Sequence, residues 1–159
     1  MKLRVGFGYD VHQLLAGREL WLGGVKIESP FGALGHSDAD VLLHAICDAI
    51  LGAAGLRDIG FHFPDTDPVY KGADSKLLLK RVMELITEKG WKVENMDSTL
   101  CLENPKINPY VPAMKQTISS ILNIDQDAVS IKATTNEQMG FVGRQEGLTA
   151  YATVLLIGV

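Results

Sequence analysis

Hydrophobic and polar residues alternate over residues 3–11, a pattern that predicts a β-strand. One face of this strand carries Leu3, Val5, Phe7, Tyr9 and Val11, and the other carries Arg4, Gly6, Gly8, Asp10 and His12. The second face is unusual, because its two glycines leave bare backbone that something can approach closely. A carboxylate and an imidazole project together at the end of this face.

The pattern becomes helical within residues 35–67, GHSDADVLLHAICDAILGAAGLRDIGFHFPDTD. The apolar surface of the predicted helix consists of Leu42, Leu43, Ile46, Ala49, Ile50 and Ala53. A second set, His36, Asp40, His44 and Asp48, recurs every four residues and is predicted to line one side of the same helix. Such a stripe is either a solvated polar face or a row of groups that meets a metal ion or a charged partner.

The remaining pattern predicts a mixture of helices and strands. The predicted elements are a hairpin at residues 19–28 that turns at Gly23 and Gly24, a polar loop at 55–68, a helix at 74–89, a strand at 92–102, a helix at 110–122, a strand at 129–133 and a closing strand at 149–159. This order favours an α+β fold in which helices cover one face of a mixed sheet. The length fits one domain that spans residues 1–159.

Composition and charge narrow the class of protein. A hydrophobic content of 47% and a charged content of 21% are ordinary for a globular protein. The formal net charge of −4 argues against a broad surface for nucleic acid or anionic membranes. Cys47 and Cys101 lie in apolar runs and are predicted to be buried thiols rather than a disulfide or a zinc knuckle. Without a run of membrane-spanning length or a signal segment, we expect a cytoplasmic protein.

Three residues have the chemistry of a catalytic zinc site. Asp10 and His12 at a strand end, together with His44 on the helix, provide two imidazoles and a carboxylate. Three protein ligands with one open position are typical of catalytic zinc. Asp48 lies one turn after His44, where its carboxylate can accept the other ring N–H of that ligand. The alternative for Asp48 is a surface pair with Arg57 or a lysine.

A second cation is indicated by the loop of residues 134–137. The many aspartates near the predicted zinc site repel an anion, so a phosphate binds there only with a divalent cation. Glu137 is a candidate ligand for a harder ion such as Mg²⁺ or Mn²⁺, and Thr134 and Thr135 can donate hydrogen bonds to phosphate oxygens. The alternative is that this loop is an ordinary turn.

Three motifs carry a resemblance to a known family. GYDVHQL, GHSDADVLLHAICDAILGAAGLRDIGFHFPDTDPVYKGADS and KATTNEQMGFVGRQEG resemble 2-C-methyl-D-erythritol 2,4-cyclodiphosphate synthases, over nearly the whole chain. The resemblance implies a homotrimer of ferredoxin-like α+β subunits, each a mixed four-stranded sheet with helices on one face plus a small hairpin. It also implies active sites between neighbouring subunits.

The implied activity is that of a lyase of the non-mevalonate isoprenoid pathway, which cyclises 4-diphosphocytidyl-2-C-methyl-D-erythritol 2-phosphate and releases CMP. The first alternative is a metal-dependent phosphodiesterase or nucleotide hydrolase that uses the same site with water. The second is a zinc-stabilised trimeric module that binds nucleotide without turnover.

The resemblance also assigns site residues. It implies zinc on Asp10, His12 and His44, Mg²⁺ or Mn²⁺ on Glu137, and catalytic roles for His36, Asp48, Thr135 and Glu137. It implies that substrate is bound by Asp10, His12, His36, Ser37, Asp58, Ile59, Gly60, Phe63, Pro64, Asp65, Thr66, Asp67, Leu102, Pro105, Lys106, Ile107, Thr134, Thr135, Asn136, Glu137, Phe141 and Arg144. Within this set, His36 and Ser37 correspond to a mobile segment that closes on the substrate.

Two positions depart from the family's pattern. Glu103 stands where small residues are frequent, and we expect it to alter the wall of the nucleobase pocket. Tyr151 stands where several relatives have an acidic residue, in the axial channel that can hold an isoprenoid diphosphate. Arg144 is present at the matching channel position, and the resemblance makes this channel the candidate site for an isoprenoid diphosphate.

Overall fold

The computed structural model describes residues 2–159 and has an α+β architecture. Its strands are β1 (Leu3–Ala16), β2 (Leu20–Leu22), β3 (Val25–Ile27), β4 (Phe31–Leu34), β5 (Trp91–Cys101), β6 (Val129–Thr134) and β7 (Gly147–Gly158). Its α-helices are α1 (Val41–Ala54), α2 (Ile59–His62), α3 (Ser75–Glu88), α4 (Val111–Leu122) and α5 (Gly140–Gly143), with short 3₁₀ helices at Pro68–Tyr70, Asn108–Tyr110 and Gln126–Ala128. The predicted helices and strands after residue 70 are confirmed to within two residues at each end.

Five strands form one mixed sheet in the order β4-β1-β7-β5-β6. β5 and β6 are parallel, and the other neighbours are antiparallel. β2 and β3 form a separate antiparallel hairpin, as predicted. The predicted fold class is therefore confirmed, with one more strand in the sheet than the four expected.

The additional strand is β4, which pairs with the end of β1 at the edge of the sheet. Gln13 lies opposite Leu34, and Ala16 lies opposite Phe31. This pairing extends β1 to Ala16, five residues beyond the alternation that predicted it. The four residues of β4 are too few for an alternation to be recognised, and glycine, here Gly32, is depleted in strands.

Helix α1 lies directly on β1, and the two glycines of that strand make this possible. A Cβ atom added at Gly6 would lie 1.8 Å from the carbonyl oxygen of Ala49, and one at Gly8 would lie 1.9 Å from that of Ala45. No side chain fits at either position, so the backbones of the helix and the strand are in direct contact. The close approach predicted from the glycines is therefore confirmed, and its partner is α1.

The predicted His/Asp stripe is only partly helical, because α1 begins at Val41. Asp40 is the residue before the helix, and its buried carboxylate accepts hydrogen bonds from the backbone N–H groups of Leu43, Gly23 and Gly24. It caps the helix and fastens the hairpin turn to it. The prediction that His36 and Asp40 belong to the helical stripe is wrong, because the Asp40 cap makes the helix begin only at Val41.

The apolar face of β1 that points away from the helices is exposed in the single chain. The exposed fraction is 69% for Val5 and 64% for Phe7, high values for apolar side chains in the middle of a sheet. Cys47 and Cys101 are buried free thiols, as predicted. Within residues 2–159, every helix is too short or too polar to cross a membrane.

Candidate metal centre and substrate cavity

Asp10, His12 and His44 converge at the point where β1 passes the first turn of α1. One carboxylate oxygen of Asp10 lies 3.0 Å from His12 Nε2 and 3.0 Å from His44 Nδ1, and the two nitrogens are 3.3 Å apart. In a tetrahedral zinc site with bonds of about 2.0–2.1 Å, ligand atoms are separated by about 3.3 Å. The three side chains therefore form one face of a tetrahedron of the right size for one metal ion.

Each histidine presents one nitrogen to this centre and has its other nitrogen engaged elsewhere. His12 Nδ1 lies 2.9 Å from the carbonyl oxygen of Leu34 in β4. Because a carbonyl can only accept, Nδ1 carries the proton and Nε2 is free to bind a metal. The strand missed in the sequence thus fixes the tautomer of one ligand.

The second imidazole is oriented by serine rather than by the predicted aspartate. His44 Nε2 lies 2.8 Å from Ser75 Oγ and 3.2 Å from Ser37 Oγ. Asp48 instead accepts a hydrogen bond of 2.8 Å from the backbone N–H of Ile59. The predicted contact between Asp48 and the His44 ring is therefore wrong. The spacing of one helical turn brings the two residues near each other, but Asp48 is committed to the start of α2.

The charges around the centre favour a bound cation. Burial raises the pKa of Asp10, but hydrogen bonds and positive charge from His12 and His44 outweigh it and lower the pKa from 3.8 to about 2. Burial lowers the pKa of His44, but the hydrogen bond and charge of Asp10, together with the charges of Asp40 and Asp38, raise it overall. This negative environment stabilises positive charge among the three ligands.

A cavity of about 250 Å³ opens beside the three ligands. Its lining residues are Asp10, His12, Gly35, His36, Ser37, His44, Ile59, Gly60, Phe63, Asp65, Tyr70 and Leu78. His36 Nε2 is buried and has no hydrogen-bond partner among residues 2–159, which leaves it available to a ligand. Tyr70 and Leu78 were not recognised in the sequence, because both match the apolar positions of ordinary packing.

Four predicted substrate residues of the same region, Asp58, Pro64, Thr66 and Asp67, are not among the residues that line this cavity. Two of them have local structural roles. Asp58 caps α2 by accepting the N–H of Phe61 at 2.9 Å, and Asp67 accepts the N–H of Val69 at 3.0 Å. The turns that they stabilise hold the floor of the cavity in place.

The second predicted part of the site lies in a separate cavity of about 130 Å³. It is lined by Leu102, Glu103, Pro105, Lys106, Ile107, Asn108, Ala133, Thr134 and Thr135. The predicted nucleobase loop and the predicted phosphate loop therefore share one cavity. Glu103 joins them, because its carboxylate accepts the backbone N–H of Asn136 at 2.8 Å.

The loop after β6 has an unusual backbone. Glu137 and Gln138 have φ angles of +52° and +62°, in the left-handed region that non-glycine residues adopt at a cost of about 1–2 kcal/mol each. Thr135 Oγ1 accepts the Glu137 N–H at 3.3 Å and lies 3.4 Å from its carboxylate. Strained backbone of this kind is concentrated at ligand-binding and active sites, and here one of the two strained residues, Glu137, carries the carboxylate.

The two cavities open at the same end of the sheet. Asp10 pairs with Ala150 of β7, Ala150 pairs with Leu100 of β5, and Leu100 pairs with Ala133 of β6. Three strand spacings, or about 14 Å, therefore separate Asp10 in β1 from Ala133 in β6. In one chain, the metal ligands and the pair Thr134 and Thr135 therefore line different cavities, and Asn136 and Glu137 line neither of the two.

An aromatic cluster occupies the position that the resemblance assigned to the axial channel. The ring of Tyr151 lies 5.2 Å from that of Tyr9 and 6.3 Å from that of Phe7, measured between centroids. Arg144 is paired with Glu146, with Nε 2.9 Å from a carboxylate oxygen. Phe141 lies in α5, which ends at Gly143 just before this pair.

Residues 3–157 match the model of the YgbB family. The chain is 62% identical over 156 residues to the 2-C-methyl-D-erythritol 2,4-cyclodiphosphate synthase of Parabacteroides distasonis, covering 98% of this chain and 97% of that protein. It is 60% identical over 157 residues to the synthase of Cytophaga hutchinsonii, covering 99% of each.

Solved structures are similar to the chain in both fold and sequence. The bifunctional IspDF from Campylobacter jejuni has a TM-score of 0.95 and 41% identity, covering 99% of this chain and 43% of that longer chain. The Plasmodium falciparum IspF–CDP complex has a TM-score of 0.86 and 36% identity, covering 98% and 96%. With this similarity over nearly its full length, the chain belongs to the YgbB family, the family of 2-C-methyl-D-erythritol 2,4-cyclodiphosphate synthases.

Proposed function

We propose that this chain is a lyase that cyclises 4-diphosphocytidyl-2-C-methyl-D-erythritol 2-phosphate to 2-C-methyl-D-erythritol 2,4-cyclodiphosphate and releases CMP. The observation that carries the proposal is the tetrahedral face formed by Asp10, His12 and His44 beside a cavity, in a chain 62% identical to such a synthase. The product would enter the non-mevalonate pathway to isoprenoid precursors.

Zinc is the metal that we propose for Asp10, His12 and His44. Two imidazole nitrogens and one carboxylate oxygen suit a borderline ion, and three ligands leave a fourth position for substrate. For Glu137 we propose Mg²⁺ or Mn²⁺, since a single carboxylate beside phosphate oxygens suits a harder ion. Divalent cations bound at these positions would neutralise phosphate charge and polarise a phosphoryl oxygen.

The residues of the chain would act mainly by positioning the two phosphates. In the reaction, an oxygen of the 2-phosphate attacks the β-phosphorus and forms a new P–O bond. The bond between the β-phosphorus and the bridging oxygen breaks, and its electron pair leaves with CMP. Thr134, Thr135 and the unpartnered nitrogen of His36 are suited to hydrogen-bond the phosphate oxygens. Closure of His36 and Ser37 would exclude water, the competing nucleophile.

The cytidine would bind in the cavity between Leu102 and Thr135. This cavity is small, at about 130 Å³, and is lined by both the 102–108 segment and Ala133 to Thr135. The Plasmodium falciparum relative was solved as a CDP complex, which supports a cytidine nucleotide as the ligand of this chain. Lys106 lies in the same wall and is suited to contact the diphosphate.

We also propose that the active protein is a homotrimer in which the metal ligands of one subunit meet the 134–137 loop of its neighbour. The exposed apolar face of β1 supports this, since it needs a partner surface. Separate cavities for the two halves of the site in one chain support it as well. The cytoplasmic location and the binding of an isoprenoid diphosphate beside Tyr151 stay predictions.

Product analysis tests the proposed activity. The purified protein is incubated with the substrate, zinc and Mg²⁺, and phosphorus NMR follows the products. We expect equal amounts of CMP and a cyclic diphosphate. A linear hydrolysed phosphate would instead indicate a phosphodiesterase or nucleotide hydrolase, and unchanged substrate would indicate a binding module. A matched His44→Ala sample should show neither product.

A further inference from the structure

Ser75, the first residue of α3, touches a proposed metal ligand from the side opposite the metal. Its side chain is fully buried, and its Oγ lies 2.8 Å from His44 Nε2. Since Nδ1 of His44 faces the metal centre and must be unprotonated to bind, Nε2 carries the proton and donates it to Ser75. The serine hydroxyl therefore acts as an acceptor toward the imidazole, and its own hydrogen needs an acceptor elsewhere.

That acceptor is Asp38. One oxygen of its carboxylate accepts the Ser75 hydroxyl hydrogen, and the other accepts the Ser75 backbone N–H at 3.0 Å. Asp38 is itself held in place, because its N–H donates to the carbonyl of Ala73 at 3.1 Å and its carboxylate accepts the N–H of Asp40 at 3.2 Å. The result is a continuous chain of hydrogen bonds from His44 through Ser75 to a carboxylate.

The second serine near His44, Ser37, does not take over the role of Ser75 in these hydrogen bonds. Its Oγ lies 3.2 Å from His44 Nε2, farther than that of Ser75, and it also accepts the N–H of Ala39. Ser37 lines the substrate cavity, so it is available to turn toward a ligand. Ser75 is absent from that lining and retains its contact with His44 whether or not Ser37 moves.

We propose that Ser75 and Asp38 are positioning residues, which hold His44 in the tautomer and ring orientation that bind the metal. The proposal rests on the metal centre of the proposed function. It adds that the ligand set depends on two residues that do not touch the metal or line the cavity. An acceptor on the far nitrogen of a ligand histidine typically contributes about 10- to 100-fold to metal affinity.

The test is competition for zinc between a chromophoric chelator and the full-length protein. We expect Ser75→Ala to bind zinc about 10- to 100-fold more weakly than the wild type. The matched control is Ser119→Ala, which removes the hydroxyl of another buried serine, one that donates to the carbonyl of Gln116 in α4. Its zinc affinity should equal that of the wild type, which separates loss of orientation from a general effect of removing a buried hydroxyl.

Asp38→Asn provides a second variant should Ser75→Ala not fold. Each carboxylate oxygen of Asp38 accepts one hydrogen bond from Ser75, and asparagine replaces one of these oxygens with an NH₂ group that can only donate. One hydrogen bond from Ser75 is therefore lost whichever way the amide turns. Loading the variants with Co²⁺ adds a spectroscopic measurement, because the visible absorption of Co²⁺ reports the ligand geometry directly. We expect altered bands in Ser75→Ala and Asp38→Asn, and unaltered bands in Ser119→Ala.

The outcomes distinguish this inference from the proposed function. If the wild type binds one zinc per chain and both variants bind it equally well with unchanged Co²⁺ spectra, the positioning role is overturned while the metal centre stands. If the wild type binds no zinc, the metal centre and the inference fail together. Weaker binding in both variants, with the control unaffected, supports the inference.

Discussion

Asp48 Oδ1 accepts the backbone N–H of Ile59 at 2.8 Å, which ties the middle of α1 to the first residue of α2. The carboxylate is thereby directed toward the floor of the substrate cavity rather than toward the His44 imidazole. Ile59 and Gly60 line that cavity, so the hydrogen bond from Ile59 to Asp48 ties part of the cavity floor to α1. This contact gives Asp48 a structural role beside the catalytic one implied by the resemblance.

We predict that Asp48→Asn leaves the zinc affinity unchanged. The amide oxygen of asparagine still accepts the Ile59 N–H. His44 Nε2, the nitrogen that faces away from the metal centre, is hydrogen-bonded to Ser75 and not to Asp48. Chelator competition measures the result, with Ser75→Ala as the variant that should differ. A loss of about tenfold or more in the Asp48→Asn variant would mean that its charge reaches the metal centre.

The same variant should be more stable than the wild type at neutral pH, measured on metal-free protein. Burial, followed by repulsion from Asp58 and Asp10, raises the pKa of Asp48 above 3.8, although the Ile59 N–H partly offsets this. Ionisation therefore costs more in the folded state than in the unfolded chain. The contribution of Asp48 to stability is most favourable below the pKa that it has in the unfolded chain. This contribution is lost as the pH rises through the higher pKa of the folded state. Urea unfolding at several pH values should show the advantage of Asp48→Asn at pH 7 and its disappearance near pH 3.

Gly8→Ala should destabilise the protein by more than about 3 kcal/mol, because the new Cβ would lie 1.9 Å from the carbonyl oxygen of Ala45. The matched control is Gly52→Ala, in which the Cβ meets nothing within 4 Å on the exposed side of α1. That change should raise the free energy of unfolding by up to about 1 kcal/mol, since alanine favours helices. Equal effects of the two variants would contradict direct contact between α1 and β1.

Glu103→Ala should raise KM for the cytidine substrate about five- to tenfold, because the Asn136 N–H loses its acceptor and the two loops of the nucleotide cavity separate. Glu103→Gln keeps an acceptor in place and should retain nearly the wild-type KM. Steady-state kinetics of both variants decide the point. Similar KM values for alanine and glutamine would show that the loops hold their positions without this hydrogen bond.

Phe7→Glu should convert the proposed trimer to monomers. Phe7 is 64% exposed in the single chain, and burying a carboxylate against a neighbour is strongly unfavourable. Leu77→Glu is the control, because Leu77 is 59% exposed on α3 rather than on the open face of the sheet. Light scattering should give a monomer for the first variant and a trimer for the second. A trimer in both would place the interface elsewhere.

The chemistry of the site could be predicted from sequence where residue type and spacing sufficed. Asp10 and His12 lie two residues apart on a strand, so their side chains must share a face, and His44 joins them as predicted. The partner of Asp48 could not be predicted, because helical spacing brings residues within reach without choosing between competing hydrogen-bond donors.

Ser75 was beyond sequence reasoning for a different reason. It lies 31 residues after His44 and stands at the start of a helix, where serine is ordinary. Leu34 contributes a backbone carbonyl, which any residue type could supply, from a strand too short to recognise. Sequence patterns show which side chains can bind a metal, but the groups that orient those ligands depend on long-range packing.

The contact between α1 and the glycines of β1 brings together the two elements that carry the proposed metal ligands. His44 belongs to the helix and Asp10 to the strand, and their backbones are already as close as atoms permit near Gly8. Direct packing of backbone on backbone holds the two elements together, and from them the Asp10 and His44 side chains reach a common point. Any residue larger than glycine at position 6 or 8 would move the helix away from the strand, and with it His44 away from Asp10. The geometry of a centre made of side chains thus depends on two residues that have none.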